Sequence, residues 1–247
     1  MGQDLIPGII SVRTSSSRLP KKCLMQFGDQ NVIEHIIKRA IFFKIDPIIC
    51  TSKDSTDDIL VEIAKRENIK FFRGSLLNKL KRWSDCAEYF ELDFFHSIDA
   101  DDPFFDGEEI LRSFNLLKKG EYDAVYPTKS SSSGVGSVGF SLNSKIVKKA
   151  VSFLEEDTDT EMIWNYLKNI PNIKSIILND IILYPPKMRL TLDYEEDYWL
   201  LRTLHRIVGS YGKREDINRI FKLNPEFSSI NWFNNHKWKK TQNKKNI

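Results

Sequence analysis

Gly8-Ile9-Ile10-Ser11-Val12-Arg13-Thr14-Ser15-Ser16-Ser17-Arg18-Leu19-Pro20-Lys21-Lys22 joins an apolar run to a basic, hydroxyl-rich loop. Gly8 to Val12 reads as a buried strand, and beyond the loop Ile33, Ile36, Ile37 and Ala40 fall on one helical face. The alternation then repeats. Pro47 to Thr51 is a strand; Ser55 with Asp58 fits an N-cap and its acidic partner, opening a helix with Ile59, Leu60, Ile63 and Ala64 inward. Ile69 to Phe72 is a short strand, Leu76 to Phe90 a helix, and Phe94 to Ile98 an apolar strand ending in Asp99-Ala100-Asp101-Asp102-Pro103. Such βα units predict an α/β fold, Rossmann-like, with a mostly parallel sheet flanked by helices.

Further along, Ile110 to Leu117 reads as a helix, Ala124 to Tyr126 as a strand, and the serine-rich stretch Lys129 to Ser137 as a mobile loop. Residues 138–184 are less regular, with two short helices and two strands, and are expected to form a small insertion for substrate or dimer contact that Pro185-Pro186 closes. The chain returns as a strand from Arg189 to Leu192, ends it at Asp193, and enters a helix from Glu195 to about Val208. No internal repeat is present. Residues 1–235 are read as a single domain, with Trp232, Phe233 and Trp238 candidates to pack back onto it, and residues 236–247 as a basic, disordered tail.

The 247 residues, 41% hydrophobic and 29% charged, suffice for a full core and exclude a disordered chain. The net charge of +3 carries little information about partners, because Lys237, Lys239, Lys240, Lys244 and Lys245 account for all of it; without them the body holds 32 bases against 34 acids. Nucleic-acid binding is therefore not expected. Cys23, Cys50 and Cys86 have no C-x-x-C spacing and read as reduced thiols. With no apolar run near the ~18 residues of a membrane span and no leader pattern, the expected location is cytoplasmic, away from the membrane.

In an open α/β sheet, ligands bind beyond the carboxyl ends of the strands, and three such ends carry unusual chemistry here. After the first strand, Arg13, Arg18, Lys21 and Lys22 among hydroxyl residues form either a polyphosphate cradle or a solvated basic loop. Asp99, Asp101 and Asp102 either hold magnesium or cap the next turn and helix. Asp193 either pairs with Asp101 on that metal or caps the following helix, with Glu196 completing a capping box. His35, His96 and His205 lie in regular elements and read as packing residues. Nucleophile-elbow, P-loop and dinucleotide glycine motifs are all missing, which removes acyl transfer, P-loop ATPase and dinucleotide chemistry.

Ser11-Val12-Arg13 through Ser16-Ser17-Arg18-Leu19-Pro20 to Lys22 and Leu24 resembles the signature loop of the sugar-acid cytidylyltransferases, the group of the 3-deoxy-manno-octulosonate and acylneuraminate enzymes. Phe72-Arg73-Gly74-Ser75 with Lys81-Arg82-Trp83, the Asp99–Phe104 segment, and Arg189–Asp193 with Glu196-Asp197 follow in the order of the SpsF-type branch of spore coat polysaccharide biosynthesis. The resemblance implies a nucleotidyltransferase-type fold, a CTP- and magnesium-dependent synthesis of a CMP-sugar with release of pyrophosphate, and a homodimer. By position it implies that Arg13, Arg18 and Lys22 hold the triphosphate and that Asp101 and Asp193 bind Mg2+. Ser11, Val12, Ser16, Gly74, Ser75 and Arg82 then belong to the nucleotide side, and Glu161 to the sugar side or the dimer contact. Three departures stand out: the family loop has a glycine or alanine near Ser15, Lys21 occupies a place where it has glycine, and Met162 replaces a histidine after Glu161. The alternatives are a GT-A type nucleotide-sugar glycosyltransferase using Asp99-Ala100-Asp101, and a non-catalytic nucleotide- or sugar-binding homologue. The basic loop argues against the first, since a diphosphate-sugar enzyme does not need it.

Overall fold

A computed structural model describes residues 5–132, 136–156, 158–181 and 186–245. In chain order the elements are β1 (Ile6–Ser11), β2 (Gln26–Phe27), β3 (Gln30–Asn31), α1 (Val32–Phe42), β4 (Ile45–Ser52), α2 (Asp58–Arg66), β5 (Lys70–Gly74), α3 (Lys79–Tyr89) and β6 (Phe94–Asp99). They continue with α4 (Gly107–Lys118), β7 (Ala124–Tyr126), α5 (Lys129–Ser132), β8 (Ser141–Asn143), α6 (Ser144–Val151), α7 (Ile163–Leu167) and β9 (Ser175–Ile177). The last four are α8 (Glu195–Val208), α9 (Arg214–Leu223), α10 (Ser228–Asn231) and α11 (Asn234–Lys245).

The expected Rossmann-like sheet is present: seven strands in the order β5-β4-β1-β6-β8-β7-β9, with β8 alone antiparallel to its neighbours. Successive β1 side chains point to opposite faces, so Ile10 joins the core under α1 and α8 while Ile9 joins the one under α3 and α6. Both are fully buried, which is why the strand reads as a continuous apolar run. The chain leaves β1 toward β4 on one side and returns as β6 on the other, so the carboxyl ends of β1 and β6 form the crevice where such folds bind ligands. Asn31 starts α1 with a full capping box: it accepts from Glu34 N, and Glu34 accepts from Asn31 N.

Several elements differ from the sequence reading. Ser55 does not cap α2; it opens a 3-10 turn, Ser55–Asp57, and the later helix start turns Leu60, Val61, Ile63 and Ala64 inward while Ile59 is exposed. The segment Arg189–Leu192 is not a strand. β6 already has β1 and β8 on its two sides, so this segment crosses beyond its end, tied by Leu192 N to Asp101 O at 2.6 Å. Asp193 is not the cap of α8: Tyr194 is, and Asp197 rather than Glu196 closes the box, accepting from Asp193 N and Tyr194 N at 3.0 Å each. Lys129–Ser132 forms α5 where a loop was expected, and residues 133–135 of that loop lie outside the described residues, as does Pro185. The tail expected to be disordered is helical in α11, because the helix start is buried: Asn235 Oδ1 accepts from Arg189 at 2.9 Å and Asn234 donates to Glu196 at 3.1 Å. Among its described residues the insertion contains two short helices and two strands, α6, α7, β8 and β9.

Candidate active site

A cavity of about 830 Å³ lies over the carboxyl ends of the sheet, with the β1 loop on one wall and α7 and β9 on another. Ser11, Val12, Arg13, Ser16, Arg18 and Lys22 line it from the loop; Arg82, Asp101 and Glu161 line it from elsewhere in the chain. Gly74, Ser75 and Asp193 do not line it. Gly74 instead makes room for Arg82, whose Cγ would lie 2.9 Å from a Cβ at that position. Ser75 supports the wall, its carbonyl accepting from Arg82 at 2.5 Å and its hydroxyl from Asn78 N at 3.1 Å.

Asp193 sits beneath the floor, 1% exposed, at the centre of three cations. Its Oδ1 accepts from Arg18 at 2.7 Å and from Lys22 at 3.0 Å, and its Oδ2 accepts from Arg189 at 3.0 Å. Lys22 also donates to Asp101 at 3.1 Å and to Leu192 O at 2.7 Å. One ammonium therefore links the ends of β1 and β6 to the segment before α8, residues separated by as many as 171 positions.

Burial alone would push the Asp193 carboxyl up, but Lys22 and Arg18, with Arg189 behind them, hold it down at about 2. Burial disfavours the Lys22 ammonium, yet Asp101 and Asp193 raise its pKa above the usual lysine range. Arg18 is likewise desolvated and then raised by Asp193. Asp102 is different: burial first, then Asp101, pushes its carboxyl well above the carboxylate range, and Thr191 Oγ1 donates to it at 2.7 Å.

Several supporting groups escaped the sequence reading. Arg189, 1% exposed, spans Asp193 and Asp197, meeting the latter at 3.0 and 3.2 Å. Lys79 pairs with Asp99 at 2.5 Å inside the cavity, and Trp83 Nε1 donates to Ser11 Oγ at 2.5 Å. Arg13 reaches across to Leu76 O at 2.7 Å, joining the loop to the segment before α3. An i,i+4 pair on α7 and its end, Trp164 and Lys168, faces the same cavity with Met162. His35 and His96 are buried packing residues, as read, with His35 Nε2 bonded to Pro103 O at 2.9 Å. Cys23, Cys50 and Cys86 are free and buried. No helix among the described residues is long and apolar enough to cross a membrane.

A basic loop after the first strand, clustered carboxylates at the end of β6 with Asp193 beside them, and a cavity above the switch point define a nucleotidyltransferase. The match to known proteins agrees. The model of the cytidylyltransferase family covers residues 8–218. An uncharacterised protein of Methanocaldococcus jannaschii, MJ1063, is 29% identical over 92% of this chain and 94% of its own length. The spore coat polysaccharide biosynthesis protein SpsF of Bacillus subtilis is 25% identical, over 85% of this chain and 89% of its own. Among solved structures, a cytidylyltransferase from Leptospira borgpetersenii superposes with a TM-score of 0.80 at 22% identity, over 91% of this chain and 97% of that one. The chain belongs to the cytidylyltransferase family and is a CTP-dependent nucleotidyltransferase.

Proposed function

We propose that this enzyme transfers CMP from CTP to a sugar acid of the ulosonic type, releasing pyrophosphate, in the cytoplasmic synthesis of a surface glycan. The observation that carries the reading is the position of Arg18 and Lys22, held at the cavity floor by the buried Asp193 and the partly exposed Asp101 and thus aimed where a triphosphate would lie. The resemblance of the Arg13–Lys22 loop supplies the acceptor class, and the likeness to SpsF, a spore coat polysaccharide biosynthesis protein, supports the glycan setting.

In this reaction the acceptor hydroxyl oxygen, losing its proton, bonds to the α-phosphorus while the bond to the β-phosphate oxygen breaks, and pyrophosphate leaves with the electron pair. Arg13, Arg18 and Lys22 neutralise the phosphates and the charge that grows on the leaving group. Ser11, Val12 and Ser16, with Arg82 behind the wall that Gly74 and Ser75 support, hold the nucleotide. Glu161 orients the acceptor.

We propose Asp101 and Asp193 as the magnesium ligands: both converge on one cationic atom, Lys22 Nζ, at 3.1 and 3.0 Å, and Asp193, beneath the cavity floor, would reach the ion only with Lys22 displaced. Magnesium takes one or two protein carboxylates and completes its shell with water and phosphate oxygens. When bound, the ion would neutralise phosphate charge, and Lys22 would be released to the triphosphate. A homodimer is proposed from the resemblance, with the edge strand β9 and its exposed Ile177 as the contact.

The test is incubation with CTP, Mg2+ and a panel of ulosonic acids, read by pyrophosphate release. CTP-dependent release with at least one acid is expected. Thermal stabilisation by CTP with no release from any acid would instead favour a non-catalytic binding homologue, and hydrolysis or transfer from a nucleotide sugar would favour a glycosyltransferase.

A further inference from the structure

Asp57 is the last residue of the turn before α2, the position from which an aspartate ordinarily caps a helix by accepting from its first amides. Here it makes no such bond. Both carboxylate oxygens are directed instead toward the neighbouring strand ends. Oδ1 accepts from Thr14 N and Thr14 Oγ1, both at 2.8 Å. Oδ2 accepts from Thr51 Oγ1 at 3.0 Å, Ser52 Oγ at 2.5 Å and Ser52 N at 3.4 Å. The group is 1% exposed. Burial pushes its carboxyl up, and the hydrogen bonds from Ser52, Thr14 and Thr51 more than reverse that.

Thr14 is also where the basic loop closes on itself. Its carbonyl accepts from Ser16 N at 3.1 Å and from Lys21 N at 3.2 Å, so the chain from 14 to 21 is a ring fastened at Thr14. Lys21 makes this closure in the left-handed region, with φ 55°. The ring carries Ser16 and Arg18, and it is flanked by Arg13 and Lys22. A shift of Thr14 would displace all of them together.

We propose that Asp57 is a positioning residue for the nucleotide: it forgoes capping α2 in order to bolt Thr14, and with it the closed loop of residues 14–21, to the carboxyl end of β4. The consequence for turnover rests on the reading of that loop as the triphosphate site. The consequence for the loop itself does not.

Hydrogen–deuterium exchange on the free protein tests the second. In Asp57→Ala the amides of Ser16 and Lys21, which do not touch Asp57, should exchange about tenfold faster or more, while the β1, β4 and β6 amides keep their protection. Steady-state kinetics test the first. The KM for CTP should rise about tenfold to a hundredfold, with a smaller loss in kcat. Asp57→Asn, which keeps an acceptor for Thr14 N and can donate to the Thr51 or Ser52 hydroxyl, should recover most of both effects, and it serves as the working variant should alanine not fold. Thr14→Val removes one of the two bonds to Oδ1, so its effect should be smaller than that of Asp57→Ala and should add nothing to it in the double variant.

Unchanged exchange at Ser16 and Lys21, or a loss of protection spread evenly over the core strands, overturns the loop role. An unchanged KM in an enzyme that turns over CTP overturns the positioning role. Failure of the wild type to use CTP would strike at the proposed reaction, and the exchange measurement would still decide what Asp57 does.

Discussion

Lys22→Met removes the ammonium that joins Asp101 to Asp193 and keeps most of the buried stem. At neutral pH the depression of Asp193 from 3.8 to about 2 corresponds to about 2 kcal/mol of stabilisation, drawn from Lys22, Arg18 and Arg189 together. Arg18 and Arg189 remain in the variant at 2.7 and 3.0 Å, so only part of that is lost from Asp193. Asp101, partly exposed, loses its ion pair with Lys22 and still faces Asp193 and Asp99. The two effects give a destabilisation of about 1–3 kcal/mol, a fall of roughly 3–10 °C in melting temperature for a domain of this size. The sign with pH is fixed. A carboxylate whose pKa is depressed in the fold stabilises above its unfolded value and loses that contribution as pH falls from about 4 toward 2. In the variant both carboxyls titrate higher, so the deficit should be largest at pH 7 and shrink as pH falls from about 4 toward 2. Pyrophosphate release should fall about a hundredfold to a thousandfold, the scale of losing one fixed charge-stabilising donor. Scanning calorimetry at several pH values, with turnover measured alongside, checks both. A melting deficit independent of pH would refute the electrostatic account, and wild-type turnover would refute the role of Lys22 in the reaction.

Lys21→Gly should raise the melting temperature by about 1–4 °C, since a left-handed lysine costs about 1–2 kcal/mol, partly offset by the greater backbone entropy of glycine; an unchanged or lower value would mean that φ 55° is not strained. Asp102→Asn keeps an acceptor for Thr191 and removes a carboxyl that burial holds well above its ordinary value. Because such a group favours the fold only as it protonates, the variant should be more stable than wild type at pH 7, with an advantage that declines as pH falls, visible in urea midpoints. Arg189→Met leaves Asp193 and Asp197 buried with their shared guanidinium gone and should cost about 3–5 kcal/mol in equilibrium unfolding; a loss below about 1 kcal/mol would show that Arg18 and Lys22 suffice.

Where periodicity and burial act locally, the sequence was a good guide. β1 is fully buried at Ile9 and Ile10, and its apolar run states as much; α8 follows its pattern from Glu195 to Val208 without a shift. The errors occur where one side chain has two possible partners. Ser55 and Asp58 satisfy the spacing of a cap, but Asp57 is held by Thr14, 43 residues away, and the helix begins later than its local chemistry suggests. Arg189–Leu192 has the composition of a strand, yet no sheet edge beside β6 is open to it. Asx capping of α8 passes from Asp193 to Asp197 because Asp193 is engaged by three cations, each of which approaches only once the chain has folded.

The same distinction divides the site. Half-buried, charged residues after strand ends, such as Arg13, Arg18, Lys22 and Asp101, advertise themselves because charge after an apolar run has no packing purpose. Their supports do not. Asp57, Arg189 and Asp197 are buried polar groups inside ordinary-looking helical or loop sequence, and nothing local separates a carboxylate that caps a helix from one that anchors a loop. A faint signal existed for Asp57. Thr14, Thr51 and Ser52 place hydroxyls at the ends of two parallel strands that any Rossmann-like order pairs, as β1 and β4 are paired here. Hydroxyls converging at buried strand ends require an acceptor, and an aspartate opening the next helix is the nearest residue able to supply one. The Lys21 substitution is legible in the same terms. A loop that loses its glycine can still close if the ring is fastened at Thr14, so the left-handed strain at Lys21 and the anchor at Asp57 are two parts of one arrangement, and weakening the anchor should release the strain.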